Sequence, residues 1–388
     1  MSQKQAFRSF LLGLTWFLLV PGGKLACFAQ VTTADFSFRL VDELGKPVEG
    51  AHAGITAWYG RGSTEPADES GWHYNDQLRS DREGRVVFHV DRNSFRHTAL
   101  VTRHSRRGLA AIADIQPGLE GKVHTVTMRS ECLVSGRLTC PDLASKDRGL
   151  VGGHVYLQFQ GKNALSFSAA EDRKFWFFVP PGTYTVEAYG SNAHTVEKTV
   201  AIEPRQHTLE LDPIALPATR LALLEGEPAP EISGVIAWKN SKPLCLRDFR
   251  GKYVLLDFWG YWCGPCLYRM PELFQLHDMY AKKGLVIIGL HVDLGDGVDT
   301  AAKLDEKLAA ARHDLWQDRD LPFPVALIAE ERASFAQGIK GTARSNLAKV
   351  YGITMYPTQI LIDREGRVVG KFFKSEDQVK RLESLLAN

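Results

Sequence analysis

The stretch Phe258–Cys266 reads FWGYWCGPC: two cysteines separated by Gly264 and Pro265, behind a tryptophan-rich run. A Cys-x-x-Cys pair can grip a metal, staple a loop or pass electrons. A zinc site needs two further ligands at the same place. Cys245 and His291 are the nearby candidates, both expected on strands of one core, and the chain has no second C-x-x-C and no H-x3-H. A staple across two residues gains little loop entropy. The spacing favours redox chemistry. From Gly264 to Lys283 the apolar residues Leu267, Met270 and Phe274 recur at helical spacing, so Cys263 falls at the helix start and Cys266 in its first turn. A helix N-terminus offers unpaired N–H groups and a partial positive charge, which favour thiolate over thiol. Cys263 is then the attacking thiolate and Cys266 the resolving one.

The elements that must hold this pair follow from the flanking sequence. KYVLLDFWG and GLVIIGLHV read as buried strands, Asp299–Trp316 as a helix, FPVALIA as a strand and Asn346–Gly352 as a helix. TQILID and RVVGKFF form a hairpin, and Asp377–Leu386 closes the chain as a helix. Strands alternating with helices imply an α/β layer with helices on both sheet faces. Asp257 interrupts the apolar run VLLDFW. Buried and unpaired, its carboxyl would titrate nearer neutrality and serve as a general base; facing outward it would be an ordinary edge Asp.

VLLDFWGYWCGPC, Pro271 five residues on and MYPTQILIDREGRVV together resemble a thioredoxin fold. GEPAPEI and LCLRDFRGKYVLLDFW resemble its TlpA/ResA-like branch, exported thiol-disulfide oxidoreductases grouped with the redoxins; the likeness covers roughly Ala222–Asn388. The resemblance implies that Asp257 takes part in proton transfer behind Cys266. It implies a cis-proline at Pro357, with the backbone of Tyr356 pairing with the substrate chain, although Tyr is bulkier than the usual Thr, Val or Ile. Trp262 is expected at the site and Trp259 in the core. It also implies disulfide-bearing protein substrates such as haem-attachment cysteines, a membrane electron donor, and no bound cofactor or metal. EERASFAQGIKGTA, between Ala329 and Arg344, is extra to the family pattern.

Gly264 and Pro265 add no charge to the dithiol, which points to a reductant of protein disulfides rather than an oxidant. A thiol peroxidase of the redoxin type is an alternative, but no hydroxyl stands three residues before Cys263. A surface binding protein with an accessory redox domain is another.

The first half of the chain has a different texture. FSFRLVDELGKPVEGAHAGITAW reads as two strands joined across Gly45-Lys46-Pro47, and a turn at Asp81–Gly84 precedes the strand Arg85–Val90. Frequent turn signals with little helical periodicity imply a β-sandwich over 31–130. LVSGRLT, the loop Cys140–Arg148, GGHVYLQF, KFWFFV, the hairpin PPGTYTVEAYG and HTVEKTVAIEP repeat the pattern over 131–217. Both segments resemble carboxypeptidase-regulatory-like or prealbumin-like sandwiches. The fold class expected is therefore multidomain: two all-β sandwich modules, a proline-rich linker around Pro213–Pro230, and a thioredoxin-like domain over 222–388. DREGRVV occurs at Asp81–Val87 and at Asp363–Val369, one β-turn solution used twice. The basic group Arg96, His97, Arg103, His104, Arg106 and Arg107 reads as a solvated hairpin, Trp176–Phe178 as a buried strand, and Asp293, Asp296 and Asp299 as a solvated loop.

Across the whole chain, 47 basic and 45 acidic residues leave a net charge of +2, which gives no reason to expect a nucleic-acid partner. Residues 1–29 place Lys4 and Arg8 before an apolar run from Phe10 to Val20 and small residues up to Ala29, the layout of a secretory signal. That run is about half the ~20 residues that span a bilayer. Lys24 stands where a lipoprotein signal carries an apolar residue, so cleavage after Ala29 and export to the periplasm or cell envelope is expected over lipid attachment at Cys27. The five remaining cysteines are too few for a disulfide framework; Cys132 and Cys140 are expected as buried free thiols.

Overall fold

The computed structural model describes residues 33–59, 71–74, 78–91, 99–116, 118–144, 146, 148–169, 172–334 and 342–387. The expected signal at 1–29, Arg96 and His97 lie outside them. No helix among the described residues is long and apolar enough to cross a membrane.

Two β-rich units come first, and they share one topology. In the first, Thr33–Val41 is the middle of a three-stranded sheet, antiparallel to Arg85–Asp91 and parallel to Val123–Thr127. Its alternating Phe36, Phe38 and Leu40 are buried against Phe88, Leu100, Ile115 and Met128. In the second, Cys132–Thr139 repeats that role, antiparallel to Lys174–Val179 and parallel to Thr208–Glu210. The next strand of each unit, His52–Gly54 or Gly153–Phe159, enters the facing sheet. The two strands expected on either side of Gly45-Lys46-Pro47 are thus present and lie in facing sheets.

PPGTYTVEAYG differs from expectation. Lys174–Val179 and Gly182–Gly190 lie in different sheets, so Pro180-Pro181 carries the chain across the core; the hairpin partner of Gly182–Gly190 is Ala193–Ile202. Tyr184, Val186 and Ala188 do alternate inward. The two units are not separate either. Ala57–Tyr59 leaves the first to pair in parallel with Lys162–Ala169 of the second, which brings Trp72 and Tyr74 into the second core. Arg103 is buried at this junction, paired with Glu131 at 2.7 and 3.0 Å and 3.7 Å from the Phe178 ring centre, so the basic stretch is not simply solvated. Phe177 is fully buried, as a core strand requires. Cys132 and Cys140 are buried free thiols.

Both DREG turns close in the same way. Gly84 and Gly366 donate to Asp81 O and Asp363 O at 2.9 and 3.0 Å, and the Asp side chains accept from Arg85 N and Arg367 N at 2.7 Å. Gly84 has φ +74° and a Cβ there would stand 2.3 Å from Leu40 O, so glycine is required.

The proline-rich segment is packed rather than a loose tether. Ile214–Ala215 pairs with Cys132–Thr139, and the short helix Arg220–Leu224 sends Ala222 into the sandwich core and Leu221 and Leu224 into the next one. Lys146–Glu227 and Arg148–Glu225 ion pairs fasten the same junction.

The last part is a six-stranded sheet in the order Val235–Lys239, Val325–Ile328, Leu285–Val292, Tyr253–Trp259, Thr358–Ile362, Val368–Phe372. Three of the four inner strands, Val325–Ile328, Leu285–Val292 and Tyr253–Trp259, run parallel, and the rest pair antiparallel. Tyr253–Trp259 is buried along its whole length because both faces are covered. On one face Leu255 and Trp259 meet the helices Gly264–Tyr280, Ala301–Leu315 and Glu376–Ala387; on the other Val254, Leu256 and Phe258 meet Asn346–Tyr351 and Arg220–Leu224. This is the thioredoxin-like arrangement expected from the sequence.

Candidate active site

The candidate site forms where the central strand Tyr253–Trp259 ends and the chain turns into the helix Gly264–Tyr280. Cys263 is the helix N-cap in extended conformation, with Pro265 in the first turn, where a missing N–H costs nothing. Cys263 and Cys266 are joined in a disulfide, and the Cys266 backbone N–H donates to the Cys263 sulfur at 3.2 Å. Cys263 is 6% exposed and Cys266 2%, so the second cysteine is the deeper one.

Between strand and helix the loop is tied down on two sides. Trp262 Nε1 donates to Val292 O at 2.9 Å, folding the indole back over Gly260. A Cβ on Gly260 would sit 2.4 Å from that Nε1, so the glycine makes room for the Trp262 bond. The Tyr261 hydroxyl donates to Asp296, which also takes Lys307 at 3.1 Å. These bonds hold Asp296 far below the usual carboxylate range, the Tyr261 hydroxyl contributing most. The acidic loop is thus not simply solvated. Asp293 is buried and accepts from Gly297 N and Val298 N at 3.1 and 3.3 Å.

Asp257 is 1% exposed. Strand alternation sets it between Leu255 and Trp259 on the face that receives the cysteine helix. Burial pushes its carboxyl up to about 7, against the opposing pull of the Gln359 side chain and the Arg269 guanidinium. Gln359 is its cross-strand neighbour, also buried, and was not singled out in the sequence; a lone Gln in the apolar run TQILID was the available signal. Asp257 Oδ1 and Gln359 Oε1 both lack a protein partner.

The Tyr356–Pro357 peptide bond is cis. Tyr356 packs edge-on against Trp262 with ring centres 5.3 Å apart, so the structure brings Cys263, Cys266, Trp262, Tyr356 and Pro357 to one end of the domain. Trp259 is fully buried and belongs to the core. His291, on the adjacent strand, packs against Trp259 and Tyr261, and burial pushes its pKa down to about 4. Cys245 is not on a core strand as expected: it caps the single turn Leu246–Phe249 because Asp248 reaches back to its N–H at 3.2 Å.

The redoxin family profile matches residues 224–386. The thiol-disulfide oxidoreductase ResA of Bacillus thuringiensis is 34% identical over 161 residues, which are 42% of this chain and 76% of that one. The chain belongs to this redoxin family of ResA-like oxidoreductases. Among its other relatives, the thioredoxin-like protein YneN of Bacillus subtilis is 28% identical over 164 residues, 41% of this chain and 80% of that protein. Among solved structures, the thioredoxin domain of a Bacteroides vulgatus thiol-disulfide oxidoreductase is 24% identical, with 42% and 97% of the two chains aligned and a TM-score of 0.31. A DsbE-type thiol:disulfide interchange protein from Chlorobium tepidum is 25% identical, with 42% and 96% aligned and a TM-score of 0.30. The matched region begins after both β-rich units. The redoxin domain is that of a thiol-disulfide oxidoreductase.

Proposed function

We propose that the protein reduces disulfides of other proteins outside the cytosol, with Cys263 as the attacking thiolate and Cys266 as the resolving thiol. In the reduced enzyme, Cys263 Sγ attacks one sulfur of a client disulfide, and the other client sulfur leaves as a thiolate. Cys266 then loses its proton to the Asp257 carboxylate and attacks Cys263 Sγ. The client leaves with both electrons as a dithiol, and the Cys263–Cys266 disulfide is left behind. Asp257 suits this step because burial makes its carboxyl bind a proton at near-neutral pH.

The observation that carries the direction of electron flow is the surroundings of the Cys263 sulfur. The donor to it among the described residues is one backbone N–H, that of Cys266. Gly264 and Pro265 bring no side-chain donor, and His291 is neutral at pH 7. A thiolate stabilised this modestly leaves the disulfide comparatively favoured, which makes the dithiol a reductant. An exported reductant cannot stay reduced in an oxidising space unaided, so a membrane electron donor is required. The signal-like residues 1–29 support export. Domain limits of 31–130, 131–217 and 222–388 go with this reading. Equilibrating the protein with glutathione buffers tests the direction. The expected potential is about −270 mV, near that of thioredoxin. A potential more positive than the glutathione couple would make the protein an oxidant or isomerase and refute the proposal.

A further inference from the structure

The extra segment between Ala329 and Arg344 returns at the mouth of the candidate site. Ala333–Ser334 and Thr342–Ala343 pair antiparallel, and Glu331 N donates to Arg344 O at 2.8 Å, so both limbs of the segment are anchored. Arg344 then lies over the Trp262 ring, 4.6 Å from its centre. Its charge is also felt by the Tyr356 phenol, where it opposes the rise caused by burial. Trp262 precedes Cys263 and Tyr356 precedes Pro357, so this guanidinium borders both halves of the site.

Trp262, Arg332, Arg344, Thr354, Met355 and Tyr356 line an open cavity of about 290 Å³ there. Its charge is lopsided at the rim. Glu330 meets Arg332 at 3.0 Å and Arg344 at 3.5 Å, one carboxylate against two guanidiniums. Glu330 is withdrawn, with 14% of its side chain exposed, whereas Arg344 keeps 34% and Arg332 73%. Met355, 68% exposed, adds an apolar ledge beside them. Each guanidinium carries five N–H donors in a planar fork that matches a carboxylate.

We propose that this cationic ledge selects client polypeptides that carry an Asp or Glu within a residue or two of the disulfide cysteine. A client sulfur that reaches Cys263 must bring its flanking residues across Trp262 and Tyr356. At about 3.3 Å per extended residue, a side chain one or two positions from the client cysteine spans the 4.6 Å between the Trp262 ring and the Arg344 guanidinium, and Arg332 lines the same cavity. The proposal rests on the reading of the domain as a disulfide reductase and specifies which clients it prefers.

Three disulfide peptides of one sequence, with Glu, Gln or Lys beside the cysteine, separate the two ideas. Reduced full-length protein is mixed with each, and the second-order rate is followed at low and high salt. The Glu peptide should react about three- to fivefold faster than the Gln peptide and the Lys peptide slower by a similar factor, as expected for partly exposed charge pairs. The ratio should shrink in high salt. Arg344→Gln should bring the Glu-to-Gln ratio close to one. Arg332→Glu, at a largely exposed position where folding is not at risk, should reverse the preference. Equal rates for the three peptides, or a ratio that neither variant changes, would overturn the ledge while leaving the reductase reading intact. If none of the peptides is reduced, the reductase reading fails and the ledge with it.

Discussion

Asp257→Asn should make the domain more stable and its chemistry slower, and both effects can be sized. Burial raises the Asp257 carboxyl from 3.8 to about 7. The folded state therefore holds this proton more tightly than the unfolded chain. Its stability falls as pH rises from the unfolded value through about 7 and is level above that. At 1.36 kcal/mol per pKa unit, the ionised carboxylate costs about 4 kcal/mol at pH 8 and nothing at pH 4. Asn fills the same space, and its amide can donate to Gln359 Oε1, which lacks a protein partner. Hydrogen exchange of the Tyr253–Trp259 amides in the oxidised protein reports on this domain alone. Comparing variant and wild type at the same pH cancels the intrinsic exchange rate. Protection should rise about a thousandfold in the variant at pH 8 and be unchanged at pH 4. A difference that is the same at both pH values refutes a buried carboxyl titrating near neutrality.

The kinetic half of the prediction uses the same proton. Wild-type release of the mixed disulfide should climb with pH and level off above about 7. Without a proton acceptor, Asp257→Asn should release it about a hundredfold more slowly at pH 7. Stopped-flow with a trapped client separates this step from the first attack. Equal release rates would remove Asp257 from the reaction even if the stability effect were present.

Two further outcomes follow from the site. In the fully reduced protein near neutral pH, iodoacetamide should label Cys263 before Cys245 and well before Cys132 and Cys140, whose thiols burial pushes upward. Peptide mass spectrometry reads the order, and earlier labelling of Cys132 or Cys245 would place the activated thiol elsewhere. Tyr261→Phe deletes the hydroxyl that contributes most to holding the Asp296 carboxyl below its usual range. With solvent screening it should cost about 1 kcal/mol at pH 7. Because Asp296 titrates below its ordinary range, that cost should fade in acid, as thermal melts at several pH values would show; a loss that persists in acid would mean that Tyr261 acts by packing alone.

How far the sequence predicts the structure depends on whether the signal is local. The strands Tyr253–Trp259 and Leu285–Val292 are unbroken apolar runs because both faces are covered, and such runs are visible without any partner. The same holds for the helix after Cys263, whose apolar spacing and Pro265 mark its start. Sheet pairing is not local. Nothing in AWY says that Ala57–Tyr59 will cross to Lys162–Ala169, and PPG turns the chain without revealing that the strands it joins lie in opposite sheets. Gln359 and the Arg344–Trp262 contact were hidden for the same reason: each depends on a partner about 80 to 100 residues away in sequence. The extra residues were legible in the sequence, but the packing of Arg344 on Trp262 beside them was not.

The site also departs from the rule that buried polar groups are paired. Asp257 Oδ1, Gln359 Oε1, Trp259 Nε1, both His291 ring nitrogens and the Tyr356 hydroxyl are all buried without a protein partner. All of them lie in the redoxin domain, on the central strands or beside Pro357. A core selected for stability alone would have replaced such groups with apolar ones. Asp257 shows what the arrangement provides. A carboxylate satisfied by three donors would titrate far below 7 and could not accept the Cys266 proton. Leaving its Oδ1 without a donor costs folding free energy and keeps the carboxyl titrating near neutrality. Full pairing of Asp257 in the oxidised state would therefore work against the thiol chemistry proposed for the reduced one.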